Sequence, residues 1–395
     1  MKCIERIDRI LNEIQEELKN MALEIHDNPE VGIQEYRACS LQLELLKKYG
    51  FQIEEKYCGI DTAYKACYKG AKPGPKIAML SEYDALPGVG HGCGHNLIAM
   101  VAVGAGIAMR EFADELGGEI YVFGCPGEES HGCKVDMAKA GAFSDMDVAM
   151  MSHPASADCE SFNTLAAING VFDFYGKAAH AAGCPYDGIN ALDAVNSCFH
   201  MIGLLRQQTR EDARIHGIIT KGGDASNVIP DHTQASLCAR AAKVDYAEEL
   251  FEKVCNCARG AALGTGCRLE ITNGPALCDT NSNKVLTALN TKNMEALGVS
   301  MVRAGEKPMP ASSDMGAVTY YAPGIQTMFD ITRHQQVTIH SAEFAKAAGS
   351  EYALERALVC IKGHVLTAID LMRDPENLKA IHEEFAKISR RGTEK

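Results

Sequence analysis

The sequence predicts an α/β protein with a second, α+β domain inserted into it. Three observations carry this. Strand-like and helix-like segments alternate between residues 65 and 155, the pattern of an α/β sheet. Polar residues follow three of those strand-like segments, where open α/β sheets place their ligand sites. Near residue 168 the order becomes strand–helix–strand–strand–helix–strand, and near 279 it reverts. Residues 168–278 therefore read as a split βαβ (ferredoxin-like) unit inside a domain built from 1–167 and 279–395.

Taken in order, residues 1–20 (MKCIERIDRILNEIQEELKN) place apolar side chains three or four apart with charges between them. That is an amphipathic surface helix, not the continuous apolar run of a signal peptide. KACYKG and PKIAMLSEYDALPG read as two strands joined by a Gly/Pro turn, the second ending in the acidic residues Glu82 and Asp84. A glycine-rich loop follows, then a long small-residue helix, NLIAMVAVGAGIAMREFADEL. GEIYVFGCPGEES is a strand running into a Pro-Gly turn and two glutamates, KVDMAKAGAF a helix, and DVAMMSHPA a strand ending in His153. In the inserted unit, AAINGVFDFYGKAAHAA reads as a strand and DGINALDAVNSCFHMIGLLRQQ is an amphipathic helix. Two strands then flank a Gly-Gly turn, followed by the helix DYAEELFEKVCNCARGAAL and the strand CRLEITNG. NSNKVLTALNTKNMEALG, APGIQTMFDI and a C-terminal helix complete the first domain, and SRRGTEK reads as a frayed tail.

The composition narrows the function. A net charge of −13 argues against nucleic acid as a main partner, since phosphate binding wants clustered Lys and Arg. No run of 18 or more apolar residues is present, so no membrane span is expected. The 16 cysteines are scattered and contain no CxxC. Without a secretion signal they read as free, mostly buried thiols of a cytoplasmic protein. Cys255 and Cys257, two apart on a helix, do not face each other and read as packing residues.

The segment LPGVGHGCGHN (86–96) is the densest chemical feature. Its glycines fall at every second residue and no Lys follows, which excludes both the G-x-G-x-x-G fingerprint and the P-loop. A cysteine nucleophile at Cys93 is one alternative, but a Cys–His pair is normally assembled from distant segments. Metal binding is the other. Thiolate, imidazole and carboxylate suit Zn, Mn or Co, and Cys93, His95, Glu129 and His153 fall at one predicted sheet edge. The adjacent Glu128 and Glu129 can divide two tasks, one holding metal and the other handling protons. His340, after a short β-branched run, is a fifth candidate. His91 takes a structural or supporting role. A third reading, a thiol-rich metal-binding protein without catalysis, stays open on these residues alone.

EYDALPGVGHGCGHN, FGCPGEES, SHPA, GKAAHAA, SNVIPDH, SSDMGAV and IHSAEFA, in this order along nearly the whole chain, resemble the M20 metallopeptidase and amidohydrolase family, in its amidohydrolase branch. Where many deacylases of that branch carry D-M-D-A-L-P and C-G-H-D, this chain has Glu82-Tyr83-Asp84 and Asn96, closer to the branch's dipeptidase and aminobenzoyl-glutamate side. The resemblance implies a mixed-sheet metallopeptidase catalytic domain with an inserted ferredoxin-like lid and dimerisation domain. It implies one or two divalent ions per subunit, Mn or Zn with Co as a further option, on Cys93, His95, Glu129, His153 and His340. Glu128 matches the general base and Asp84 the acid that supports a ligand histidine. His180 matches an inserted-domain histidine that helps hold the oxyanion, often in the partner subunit's site. Asn227 and Arg240 match positions that bind the substrate backbone or carboxylate, and Gly316 lies in the substrate-facing glycine stretch. The implied partners are a small amide or dipeptide substrate and a second copy of the chain, joined through the inserted domain.

Overall fold

The computed structural model describes residues 2–388; the tail SRRGTEK lies outside them. Among the described residues there are ten strands, β1 (Gln52–Glu55), β2 (Tyr64–Lys69), β3 (Lys76–Ser81), β4 (Glu119–Gly124), β5 (Val148–Ala155), β6 (Ala166–Tyr175), β7 (Arg214–Lys221), β8 (His232–Ala241), β9 (Arg268–Leu277) and β10 (Gly324–Asp330). The chain divides into two compact units. The first runs to Asn163 and resumes over Thr280–Lys307 and from Asp314; the second comprises Thr164–Asp279 and Pro308–Ser313. The short return, 308–313, is a feature with no counterpart in the sequence reading.

The first unit holds a six-stranded mixed sheet in the order β1-β2-β4-β3-β5-β10. β3, β4, β5 and β10 run parallel, while β1 and β2 are antiparallel additions. The central strands KIAMLS, EIYVFG and VAMMSHPA are buried almost throughout, as continuous apolar runs covered on both faces should be. KACYKG and KIAMLS are not neighbours, because β4 lies between them. Parallel alignment brings the carboxyl ends of four strands to one edge, and the loops leaving that edge carry Glu82, Asp84, Glu128, Glu129 and His340.

Behind the sheet, the helix His95–Leu116 buries 17 residues, His95 and Asn96 among them. It is long and apolar enough to cross a membrane, but its burial inside the unit makes it a core helix. Its small residues let other helices approach closely. A Cβ on Gly104 would stand 2.5 Å from Ile361 Cδ1 and 2.8 Å from Leu18 Cδ1, which belong to the helices Glu351–Arg373 and Lys2–Asp27. The N-terminal helix packs Ile7, Ile10, Leu11, Ile14, Leu18, Met21 and Ile25 into this core and extends seven residues past the amphipathic stretch read from the sequence.

The second unit is a four-stranded antiparallel sheet in the order β7-β8-β6-β9 with the helices Ala191–Leu205 and Val244–Thr265. The connectivity β-α-β-β-α-β with this order is the split βαβ topology. Phe172, Phe174, Val195, Cys198, Leu237, Leu250 and Val254 are buried. Cys255 and Cys257 are buried as well, as packing residues. β7 is an edge strand.

Candidate metal centre and active site

The loop after β3 turns tightly through Gly88, Gly90 and Gly94, at φ of 73°, 80° and 76°, a region that disfavours any residue with a Cβ. This delivers Cys93 and opens the helix that carries His95. Glu128 and Glu129 leave β4 by a turn at Gly127 (φ 64°). His153 sits within β5. His340 arrives on the loop after β10 in a left-handed conformation (φ 70°), with its backbone N–H donating to the carbonyl of Gly92 at 2.9 Å. Non-glycine residues hold such angles only where surrounding contacts enforce them, commonly at functional sites. Asp330 anchors this loop by accepting backbone N–H groups of Thr332 and His334, and its other oxygen accepts the Tyr352 hydroxyl.

These segments converge. His340 Nε2 lies 3.0 Å from Cys93 Sγ and 3.5 Å from Glu129 Oε1, and His95 Nε2 lies 3.9 Å from Glu129 Oε1. The rings of His95 and His153 meet edge-on at 5.6 Å. Three overlapping groups, Cys93–His95–His153, Cys93–Glu129–His340 and His95–Glu128–Glu129, each bring their donor atoms within 4.8 Å of one another. The five ligand candidates are thus one cluster, with Cys93, His95 and Glu129 each shared between two groups.

The donor set fits divalent ions. Buried His95 Nε2 and Glu129 Oε1 have no hydrogen-bond partner, a cost that a coordinated cation would remove. The tautomers agree. Asp84 Oδ1 accepts from His95 Nδ1 at 2.8 Å, and the Pro154 carbonyl accepts from His153 Nδ1 at 2.7 Å, which leaves both Nε2 atoms free to ligate. Burial opposes charge on His95, but Asp84, Cys93 and Glu82 outweigh it and hold its pKa well above the usual imidazole range. Burial pushes the Cys93 thiol up to about 12, which speaks against a free thiolate nucleophile. A thiolate at this position calls for a cation beside it.

Glu128 is raised well above the usual carboxylate range by burial and by the charges of Glu82 and Asp314. Behind it stands a group that sequence reasoning missed. Lys134, fully buried, places Nζ 2.6 Å from both Glu82 Oε1 and Asp314 Oδ1, and its backbone N–H also donates to Asp314. Glu82 Oε2 in turn lies 3.4 Å from His95 Nε2. The available signals were Glu82 two residues before Asp84 at a strand end, a lysine at the start of the short helix Cys133–Lys139, and the Asp of SSDMGAV.

Four further candidates remain. Gly316 is buried in the short helix Met315–Val318 of the first unit. His180, Asn227 and Arg240 belong to the second unit. There, the exposed His180 accepts the backbone N–H groups of Ala182 and Gly183 at Nδ1 (3.2 and 3.0 Å), so its ring proton resides on Nε2. Arg240 donates to Ser312 Oγ at 2.9 Å, and that hydroxyl donates to the Leu165 carbonyl. His91, buried, bonds through Nε2 to the Ile25 carbonyl at 3.0 Å and stays neutral, a structural role.

A parallel-edge site of this donor set on this fold defines a hydrolase of the metallopeptidase class. Residues 78–357 match the model of peptidase family M20/M25/M40, and the chain belongs to that family. It is 33% identical over 402 residues to the Xaa-Arg dipeptidase of Mus musculus, covering 97% of this chain and 91% of the relative. It is also 33% identical to one of the polypeptides of the p-aminobenzoyl-glutamate hydrolase of Escherichia coli K12, over 67% of this chain and 59% of that polypeptide. Among solved structures, a Klebsiella pneumoniae aminobenzoyl-glutamate utilization protein superposes with a TM-score of 0.72 at 19% identity, over 92% of this chain and 98% of its own. A Bacillus subtilis dinuclear metal-binding peptidase of the M20 family does so at 0.64 and 20% identity, over 88% and 98%.

Proposed function

We propose that this enzyme hydrolyses the amide or peptide bond of small dipeptides or N-acyl amino acids, with divalent ions held by Cys93, His95, Glu129, His153 and His340. The observation that carries the reading is the convergence of these five side chains, from four separate segments, around unpartnered buried donor atoms, with Glu128 at their side. Bound divalent ions supply Lewis acidity and lower the pKa of water; Mn or Zn suits the mixed donor set, and Co is the further option. Glu128 takes the proton of the attacking water and passes it to the leaving nitrogen. Asp84 keeps His95 in its ligating tautomer. His180 offers Nε2–H as a donor for the developing oxyanion. Arg240 presents a planar fork for the substrate carboxylate, with Asn227 for the substrate backbone and Gly316 in the glycine stretch facing it.

Dipeptides ending in arginine or lysine come first in the substrate panel, supported by the near full-length similarity to an Xaa-Arg dipeptidase. The 16 scattered cysteines, with no CxxC among them, support a cytoplasmic setting. A homodimer through the second unit is supported by its edge strand β7, where Ile218 and Ile219 are exposed.

The test is a Glu128→Gln variant reconstituted with metal. Metal content stays at the wild-type level while kcat falls about 10²–10⁴-fold, and EDTA abolishes wild-type turnover. Turnover of the Gln variant within tenfold of wild type, or activity that survives chelation, overturns the reading.

A further inference from the structure

We propose that Glu35 is a positioning residue for the loop that carries Glu128 and Glu129. This rests on the reading of Glu128 as the group that moves the proton. Glu35 lies outside the motifs of the resemblance and is fully buried. Its Oε1 accepts two backbone N–H groups, from Ile33 at 3.0 Å and from Gly127 at 2.9 Å. Its Oε2 accepts the Thr62 hydroxyl at 3.1 Å. One carboxylate therefore joins the 31–35 loop, the segment leading into β2, and the residue immediately before Glu128.

The other flank of Glu128 is held in the same way. Glu129 N–H donates to Asp84 Oδ2 at 3.0 Å, while the other oxygen of Asp84 orients His95. The main chain of Glu128 is thus fixed on both sides by buried carboxylates. The two loops also interlock. A Cβ on Gly127 would stand 3.1 Å from Ile33 Cγ2, and a Cβ on Gly32 would stand 2.6 Å from Ser130 Oγ. Truncating Glu35 leaves the buried Gly127 N–H without its acceptor and frees the turn that aims Glu128. Burial, reinforced by the charge of Asp84, pushes the Glu35 carboxyl up to about 7, so the neutral amide of glutamine is a close substitute that keeps the Oε1 acceptor.

Glu35→Ala, Glu35→Gln and Glu128→Gln are compared as metal-reconstituted enzyme, with circular dichroism and metal content measured for each. Glu35→Ala is expected to lose about 10–100-fold in kcat with KM within about threefold, and Glu35→Gln to keep kcat within about threefold. A merely structural role would lower thermal stability without this kcat–KM split or its rescue by glutamine. Wild-type kcat in Glu35→Ala beside an inactive Glu128→Gln overturns the positioning role alone, as do equal losses in Ala and Gln. An active Glu128→Gln overturns the reading of Glu128 itself. If Glu35→Ala does not fold, Glu35→Asp, which keeps the charge but loses the reach, carries the same expected loss, and wild-type kcat in it overturns the proposal.

Discussion

Lys134 carries the clearest lesson among single residues. A lysine at 0% exposure is tolerated only when paired and hydrogen-bonded. Here two buried carboxylates, Asp314 and Glu82, outweigh burial and keep its pKa well above the usual range. It stands as a fixed cation among the acids Glu82, Glu128 and Asp314, and Lys134→Met would leave those carboxylates uncompensated, costing about 3–5 kcal/mol of stability. A urea midpoint unchanged from wild type would contradict that. His364 is a second buried group, bonded to Ser152 Oγ at 2.7 Å, and burial lowers its pKa to about 4. The unfolded chain takes up this proton near 6.5 and the folded chain only near 4. Its contribution is therefore present above pH 6.5 and is lost as pH falls toward 4, amounting to about 3 kcal/mol. Urea denaturation of wild type and His364→Gln at pH 7 and pH 4.5 measures it. The wild type should lose more stability over this interval, and parallel pH slopes would exclude the effect.

Among the elements, the helix His95–Leu116 links the core to the site. Its first residue is a ligand candidate and its middle is the floor on which two other helices pack. The close approach at Gly104 leaves no room for a side chain, so Gly104→Val forces Ile361 and Leu18 apart at a cost of about 1–3 kcal/mol. The expected readout is a lower melting temperature with metal stoichiometry retained, because the overpacking lies about two and a half turns from His95. An unchanged melting temperature would mean the three helices adjust freely. The loop from Asp330 to His340 works differently. It holds three non-glycine residues at positive φ, namely Arg333, His334 and His340, and relies on the buried Asp330 to keep them there.

For the whole molecule, the exposed edge of the second unit bears on assembly. Ile218 is 64% exposed and Ile219 39% on a strand whose outer edge is unpaired within the described residues. Unprotected apolar edges invite pairing with another chain, which is the basis for proposing the homodimer. Ile218→Lys should shift the mass measured by light scattering from dimer toward monomer. A mutant that stays dimeric, or a wild type that is monomeric at micromolar concentration, would remove the proposal.

The alternation of strands and helices from β2 to β5, the βαββαβ insertion and the choice of Cys93, His95, Glu129, His153 and His340 as ligand candidates were legible in the chain, whereas β1 and the division of the C-terminal segment into three helices were not. Hydrophobic periodicity reports which face of an element is buried, and thiol, imidazole and carboxylate groups after strand ends point to one sheet edge. What the chain could not show was which strands are neighbours, since β4 enters between β2 and β3 through hydrogen bonds made far apart in sequence. Nor could it show the Lys134–Glu82–Asp314 cluster or the bonds from Glu35 to Gly127. Local pattern is silent about such pairs: a lysine or glutamate in a linear sequence reads as a solvated charge. Only tertiary packing, by excluding water and bringing residues 92 or 180 positions apart within 3 Å of one another, turned those charges into the supports of a site.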